Sequence, residues 1–230
     1  MNHKHSMGFT LIEMAIALLI MGLLLGGGLT VLTTQMDQQR VRDTRRALDE
    51  INQTLVGFAV ANRFLPCPAN PAVATATSGA GVARAFAAGG CTGGNSGVLP
   101  WATLGVSETD AWGNRYTYRV TPGFADNTTV FTLGSVGNIN VRVTSGGATL
   151  ATAVPAAIVS HGKNGRGAYN SAGTQVPVSA DADEIENSSV EAVTGEFVTR
   201  DHIGTYDDIV GWVSPNILFN RMVQAGRLPL

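Results

Sequence analysis

The chain has 230 residues and a formal charge of -2, room for one good-sized domain, or for a small domain with additions. That balance excludes a generally basic nucleic-acid binder. Apolar residues make up 44% and charged residues only 14%, against roughly 25% charged in an ordinary soluble domain, which excludes a disordered, highly charged chain.

The first predicted element is an apolar helix. After Met1 to Gly8 the sequence reads FTLIEMAIALLIMGLLLGGGLTVLTTQM, and no charged residue occurs from Met14 to Met36. A helix needs roughly 20 apolar residues to cross the hydrocarbon core of a bilayer, so the pattern predicts a spanning helix. Four readings compete: a buried core helix, a cleaved signal peptide, an uncleaved membrane anchor, and a subunit that assembles laterally. Gly26 to Gly28 is a poor small-x-small cleavage site. Glu13 favours the fourth reading, because a carboxylate in lipid is costly and needs a partner. The free amino group of a neighbouring chain would supply one if the chain were cut just before Phe9.

Gly8-Phe9-Thr10-Leu11-Ile12-Glu13, followed by the apolar run, closely resembles the class III signal of type IV pilins and type II secretion pseudopilins. The resemblance implies that a prepilin peptidase cuts between Gly8 and Phe9 and that the Phe9 amine is methylated. It implies that Glu13 serves register and recruitment during assembly. Lys4, with His3 and His5, makes the leader weakly basic, in modest agreement with the positive-inside tendency.

Past Met36 the pattern becomes amphipathic. Val41, Thr44, Leu48, Ile51, Leu55 and Phe58 recur at steps of three and four, which predicts a stem helix with one buried face. It should end near Asn62, before Pro66 and Pro68. Arg40, Arg42, Arg45 and Arg46 are interleaved with acids, so this is a wetted face rather than a phosphate site.

Cys67 and Cys91 are the only cysteines. Their spacing and lack of a histidine cluster disfavour zinc. In an exported domain a disulfide is the expected pairing, with free thiols as the alternative. Strands are predicted at Tyr116 to Val120, Thr128 to Leu133, Ile139 to Thr144, Ala156 to Ser160, and Phe197 with Val198. The tail, through Ile217, Leu218, Met222 and Val223, predicts a short helix capped by Asn216 and stopped by Gly226. A helix followed by antiparallel strands gives an α+β order.

Ser160-His161-Gly162-Lys163 lacks a nucleophile-elbow pattern, and GKNGRG lacks the phosphate-loop pattern. No enzyme is predicted. The acids of DADEIEN and DDIV are hard oxygen donors of the kind that hold calcium. The calcium-loop spacing fails at Ile185, so a wet acidic loop is the competing account. The phrases LVGFAVANRFLPCPA, LPWATLG, DAWGNRYTYRV, IVSHGKNGRGAY and DDIVGWVSPNILFNRMVQAGRLP also resemble a pseudopilin-like branch of the same family. That resemblance implies structural calcium near the end of the sheet, with Asp181, Asp183, Glu186, Asp207 and Asp208 as candidate ligands and no other cofactor.

The expected fold is therefore α+β and, by resemblance, pilin-like. A long N-terminal helix, transmembrane in its inner half, would pack on a small antiparallel sheet domain with Gly-rich loops and a short C-terminal helix. The expected parts are a leader (1–8), a transmembrane assembly helix (9–36), a stem helix (37–62) and a periplasmic or extracellular globular domain (63–230). The expected function is a subunit assembled into a type II secretion pseudopilus or a type IV pilus-like filament. It would sit in the inner membrane by a single pass before assembly. The expected partners are a prepilin peptidase, other pilin or pseudopilin subunits, an inner-membrane assembly platform and the lipid bilayer, with no direct nucleic-acid binding. A periplasmic binding module that carries a pilin-type leader, is anchored in the membrane and never polymerises is the alternative.

Overall fold

The computed structural model describes residues 9–188, 195–202 and 204–228, without the side chains of 24–32. The expected leader, Gly8 included, lies outside the described residues. Two compact units divide between Arg42 and Asp43. Helix α1, Leu11–Asn62, contributes residues to both.

In the first unit α1 opens on a capping box. The Thr10 amide donates to Glu13 Oε2 at 2.8 Å, and the Glu13 amide donates to Thr10 Oγ1 at 3.3 Å. Two donors at the helix start are thereby satisfied reciprocally. Among the described residues no helix is long and apolar enough to cross a membrane. The transmembrane inner half expected of this helix is corrected on that finding. The single-pass inner-membrane placement built on it is corrected as well.

In the second unit α1 buries Thr44, Leu48, Ile51, Leu55 and Ala59, steps of three and four that keep one face inward. Phe58 is only half-buried, and Ala59 takes the inward position instead. The helix ends where Arg63 turns left-handed at φ 71° and the prolines begin.

A small hairpin pairs β1 (Phe86–Ala87) with β2 (Gly90–Cys91). The first large sheet contains β3 (Ser96–Val98), β4 (Thr117–Val120), β7 (Ala156–Ser160) and β9 (Ile209–Trp212), in that order and antiparallel throughout. The second has the order β6 (Thr149–Val154), β5 (Ile139–Arg142), β8 (Glu196–Val198). Its β5–β8 pair is parallel. Among the described residues, the expected single antiparallel sheet is thus three sheets with one parallel pairing.

The layers explain the burial. Gly211 on β9 lies against Leu48 and Asn52 of α1, a close approach that suits a residue without a side chain. From the other face Ala157, Val159 and Val210 pack with Ile139, Val141, Val154 and Phe197 of the second sheet. The first sheet is covered on both sides, and every residue of β4 is buried. The alternation of Tyr116, Tyr118 and Val120 with Thr117 and Arg119 predicts one apolar face, whereas both faces of the strand are buried, as a central layer requires.

No strand forms over Thr128 to Leu133. Asp126 instead accepts hydrogen bonds from the Thr128 and Thr129 amides at 2.8 and 3.0 Å, an Asx turn that diverts the chain. Short helices α2 (Trp101–Leu104), α3 (Pro122–Ala125) and α4 (Ala182–Ser188) fill the connections. The tail forms α5, Pro215–Gln224, with Ser214 rather than Asn216 at its cap position. Leu218 and Met222 face inward, while Ile217 is exposed. Cys67 and Cys91 form a disulfide.

Candidate cation centre

Three chain segments meet beyond the carboxyl end of β7. The first is His161 to Asn164, directly after the strand. Gly162 has φ 56° and lies so close to the Asp207 backbone and carboxyl group that any side chain would collide with them. The second is α4, formed by the acidic run. The third is Tyr206 to Asp208, which leads into β9.

The close packing brings Glu184, Asp207 and Asp208 together, with one donor oxygen from each lying within 4.8 Å of the others. Glu184 and Asp208 are buried, and Asp207 is half-buried. Each carboxylate has one oxygen satisfied. Asn164 Nδ2 donates to Glu184 Oε1 at 2.8 Å, and the Asn164 amide donates to Asp207 Oδ2 at 2.8 Å. Asn187 Nδ2 donates to Asp208 Oδ2 at 2.9 Å. The opposite oxygens, Glu184 Oε2, Asp207 Oδ1 and Asp208 Oδ1, are buried without a hydrogen-bond partner.

Asn187 also ties the centre to the second sheet. Its amide group donates to Val198 O at 2.9 Å and accepts from the Val198 amide at 2.8 Å. The Tyr206 hydroxyl donates to the same Val198 carbonyl at 2.7 Å. A cavity of about 560 Å³ adjoins the centre, lined by Lys163, Asn164, Arg166, Asp181, Glu184 and Asp207 among others.

The electrostatics follow from burial. Removal from water pushes the Asp207 carboxyl up to about 6, with Glu184 adding to the rise and the Asn164 amide opposing it. Burial holds Asp208 well above the usual carboxylate range, again with Glu184 and Asp207 adding to the effect. Crowded, desolvated carboxylates disfavour their own ionisation. A divalent ion would reverse that preference, and an all-oxygen carboxylate set suits a hard cation.

Five acids were expected as ligands, and the structure brings Asp207 and Asp208 to this centre. Asp181 instead accepts from Thr205 Oγ1 at 2.6 Å and pairs with Arg200 at 3.3 Å. Asp183 pairs with the Arg200 Nε at 2.6 Å and accepts from the Ser145 amide at 2.7 Å. Glu186 accepts from Ser145 Oγ at 3.2 Å. The third member, Glu184, is one of the acids of DADEIEN but not one of the five expected ligands. Its inward place depends on the short α4, a helix that no pattern in DADEIENSS marks clearly.

Thr117, His161 and Asp208 line up in the order of a hydroxyl, an imidazole and an acid. Thr117 Oγ1 lies 2.7 Å from His161 Nε2, and His161 Nδ1 lies 3.8 Å from Asp208 Oδ1. All three are at most 1% exposed, so no substrate reaches the hydroxyl. Burial depresses His161 to about 4, opposed by the Arg166 backbone, and the ring is neutral near pH 7. The neighbouring Ser160 hydroxyl donates to Asp110 Oδ2 at 2.6 Å within the buried interior.

Residues 5–29 match the family described as the prokaryotic N-terminal methylation motif. No curated protein and no solved structure matches the chain. The motif implies processing by a prepilin peptidase. Prepilin-type chains are non-catalytic structural subunits, in agreement with the expectation that this chain is not an enzyme. The expected role as a polymerising filament subunit is corrected by the helix itself. That role needs a long spanning helix to anchor and then pack the subunit, and among the described residues no helix is long and apolar enough to cross a membrane. The amino-terminal segment of this chain carries the N-terminal methylation motif of prepilin-type processing.

Proposed function

We propose that this chain is a processed, non-polymerising binding module whose compact unit holds calcium through Glu184, Asp207 and Asp208. In this reading a prepilin peptidase cuts between Gly8 and Phe9, and the Phe9 amine is then methylated. The globular part does no chemistry of its own. Two observations carry the calcium reading: one oxygen from each of the three carboxylates lies within 4.8 Å of the others, and each carboxylate keeps one buried oxygen without a hydrogen-bond partner. Buried polar atoms are ordinarily paired, and three clustered carboxylates with a bare acceptor each lack a positive charge.

Calcium takes six to eight oxygens, so backbone carbonyls or water complete the set. The ion would tie α4 to the segment ahead of β9. Terbium luminescence, calcium competition and thermal melting test the reading. Calcium at about 100 times its Kd should stabilise the protein by about 2.7 kcal/mol, and Glu184→Gln or Asp207→Asn should remove most of that gain. A wild-type melting temperature indifferent to calcium and to a chelator would overturn it. Intact mass tests the processing: loss of residues 1–8 plus one methyl group is expected, and a retained leader would refute it.

A further inference from the structure

Asp208 has polar neighbours on two sides. Asn187 holds one carboxylate oxygen, and the bare oxygen faces His161 Nδ1, itself buried and without a hydrogen-bond partner. The far side of the imidazole ends on Thr117 Oγ1 at 2.7 Å. Thr117 belongs to β4, in the first sheet, so the chain of contacts runs from the cation centre to a strand with no ligand of its own.

The two ring nitrogens have different tasks here. With calcium bound and Asp208 ionised, a proton on Nε2 would leave the lone pair of Nδ1 pointing at the Asp208 carboxylate, and the two acceptors would repel. If Thr117 donates to Nε2, the proton sits on Nδ1 and points at Asp208 Oδ1. At 3.8 Å this donor is roughly an ångström from a normal hydrogen bond. A small inward movement of Asp208 would close the gap.

We infer that Thr117 and His161 are positioning residues for the cation centre, with the Thr117 hydroxyl selecting the Nδ1–H tautomer of His161 so that the ring donates to Asp208 and orients it toward the ion. The inference rests on the calcium reading above. Groups that orient a ligand typically change metal affinity by about 10- to 100-fold when removed.

The experiment compares wild type with Thr117→Val and Thr117→Ser, using calcium titration of the full chain. Thr117→Val keeps the branched shape and should weaken calcium binding about 10-fold or more. Thr117→Ser keeps the hydroxyl and should restore the affinity. The melting temperatures of the calcium-free forms provide the structural control, since a general packing defect would lower stability without a selective loss of affinity. Long-range proton–nitrogen spectra of the His161 imidazole in calcium-loaded wild type are the second readout, independent of whether a variant folds. A proton on Nδ1 and a bare Nε2 are expected.

A proton on Nε2 would overturn the inference, as would equal calcium affinity in wild type and Thr117→Val. Either result in a wild type that binds calcium leaves the carboxylate site standing. A wild type that binds no calcium removes both.

Discussion

Single residues carry unusual burdens in this fold. Arg115 is fully buried, yet every side of its guanidinium is used. It pairs with Glu108 at 2.8 Å and donates to the carbonyls of Pro71, Val73 and Ser171 and to Thr75 Oγ1. Trp101 stacks under it at 4.7 Å. Arg115→Met should cost about 3–5 kcal/mol, because several buried acceptors lose their donor together. That corresponds to a fall of roughly 10 °C in Tm; a fall within a degree or two would show that the loops hold themselves. Near the amino end of the chain, Glu13 caps its own helix through Thr10. Glu13→Ala should speed amide exchange in the first turn of α1, while Glu13→Gln should keep much of the protection. Little of the Arg115 hub was legible in advance. Arg115 stands just before the strand expected from Tyr116, where no pattern marks it as buried, and only the tertiary meeting of loops 71–75 and 169–175 draws it inward. Asp207 and Asp208 were legible through the likeness of DDIVGW to the pseudopilin branch, which implies calcium there. Glu184 was not, since its burial depends on where α4 packs.

Elements show the same division. The stem of α1 was readable because a spacing of three and four is a local property. Strands β5, β7 and β8 announced themselves through β-branched and aromatic residues. Strands β3 and β9, by contrast, contain Ser96-Gly97 and Gly211-Trp212, and their extended form is imposed by pairing with β4 and β7. The parallel β5–β8 pairing has no local signature at all. The poorly patterned stretch between the cysteines is held by other means. The disulfide spans 24 positions, and Arg84 inside it donates to the carbonyls of Pro68, Gly93, Gly94 and Ser96. Replacing both cysteines by alanine should cost about 3 kcal/mol in the loop-entropy account. Chemical denaturation of the double variant checks this. An unchanged midpoint would mean that the arginine clamp alone orders the loop.

The whole molecule should respond to pH and calcium together. Asp207, at about 6, and Asp208, higher than usual, sit above the ordinary value of 3.8. The folded, calcium-free chain therefore holds protons that the unfolded chain releases. These two groups stabilise it below about pH 4, and that contribution is lost as pH rises through the folded value. His161 works the other way, since its folded value of about 4 lies below the ordinary 6.5. Its contribution is present above 6.5 and is lost as pH falls toward 4. The net slope without calcium is a compromise, and the clean observable is the gain on adding calcium. That gain should be larger at pH 7 than at pH 5, because protons compete for the ligands. Melting curves with calcium and with a chelator at both values test this, and equal gains would contradict it.

Strand β9 also sets an order of events. It is the last strand along the chain, yet it lies against Leu48 and Asn52 of the opening helix and completes the first sheet beside β7. A polypeptide made from its amino end must carry a naked helix face and an unfinished ladder until residue 212 has emerged. Its compact unit is thus sealed by its own tail, and fragments broken off earlier should be sticky and easily digested.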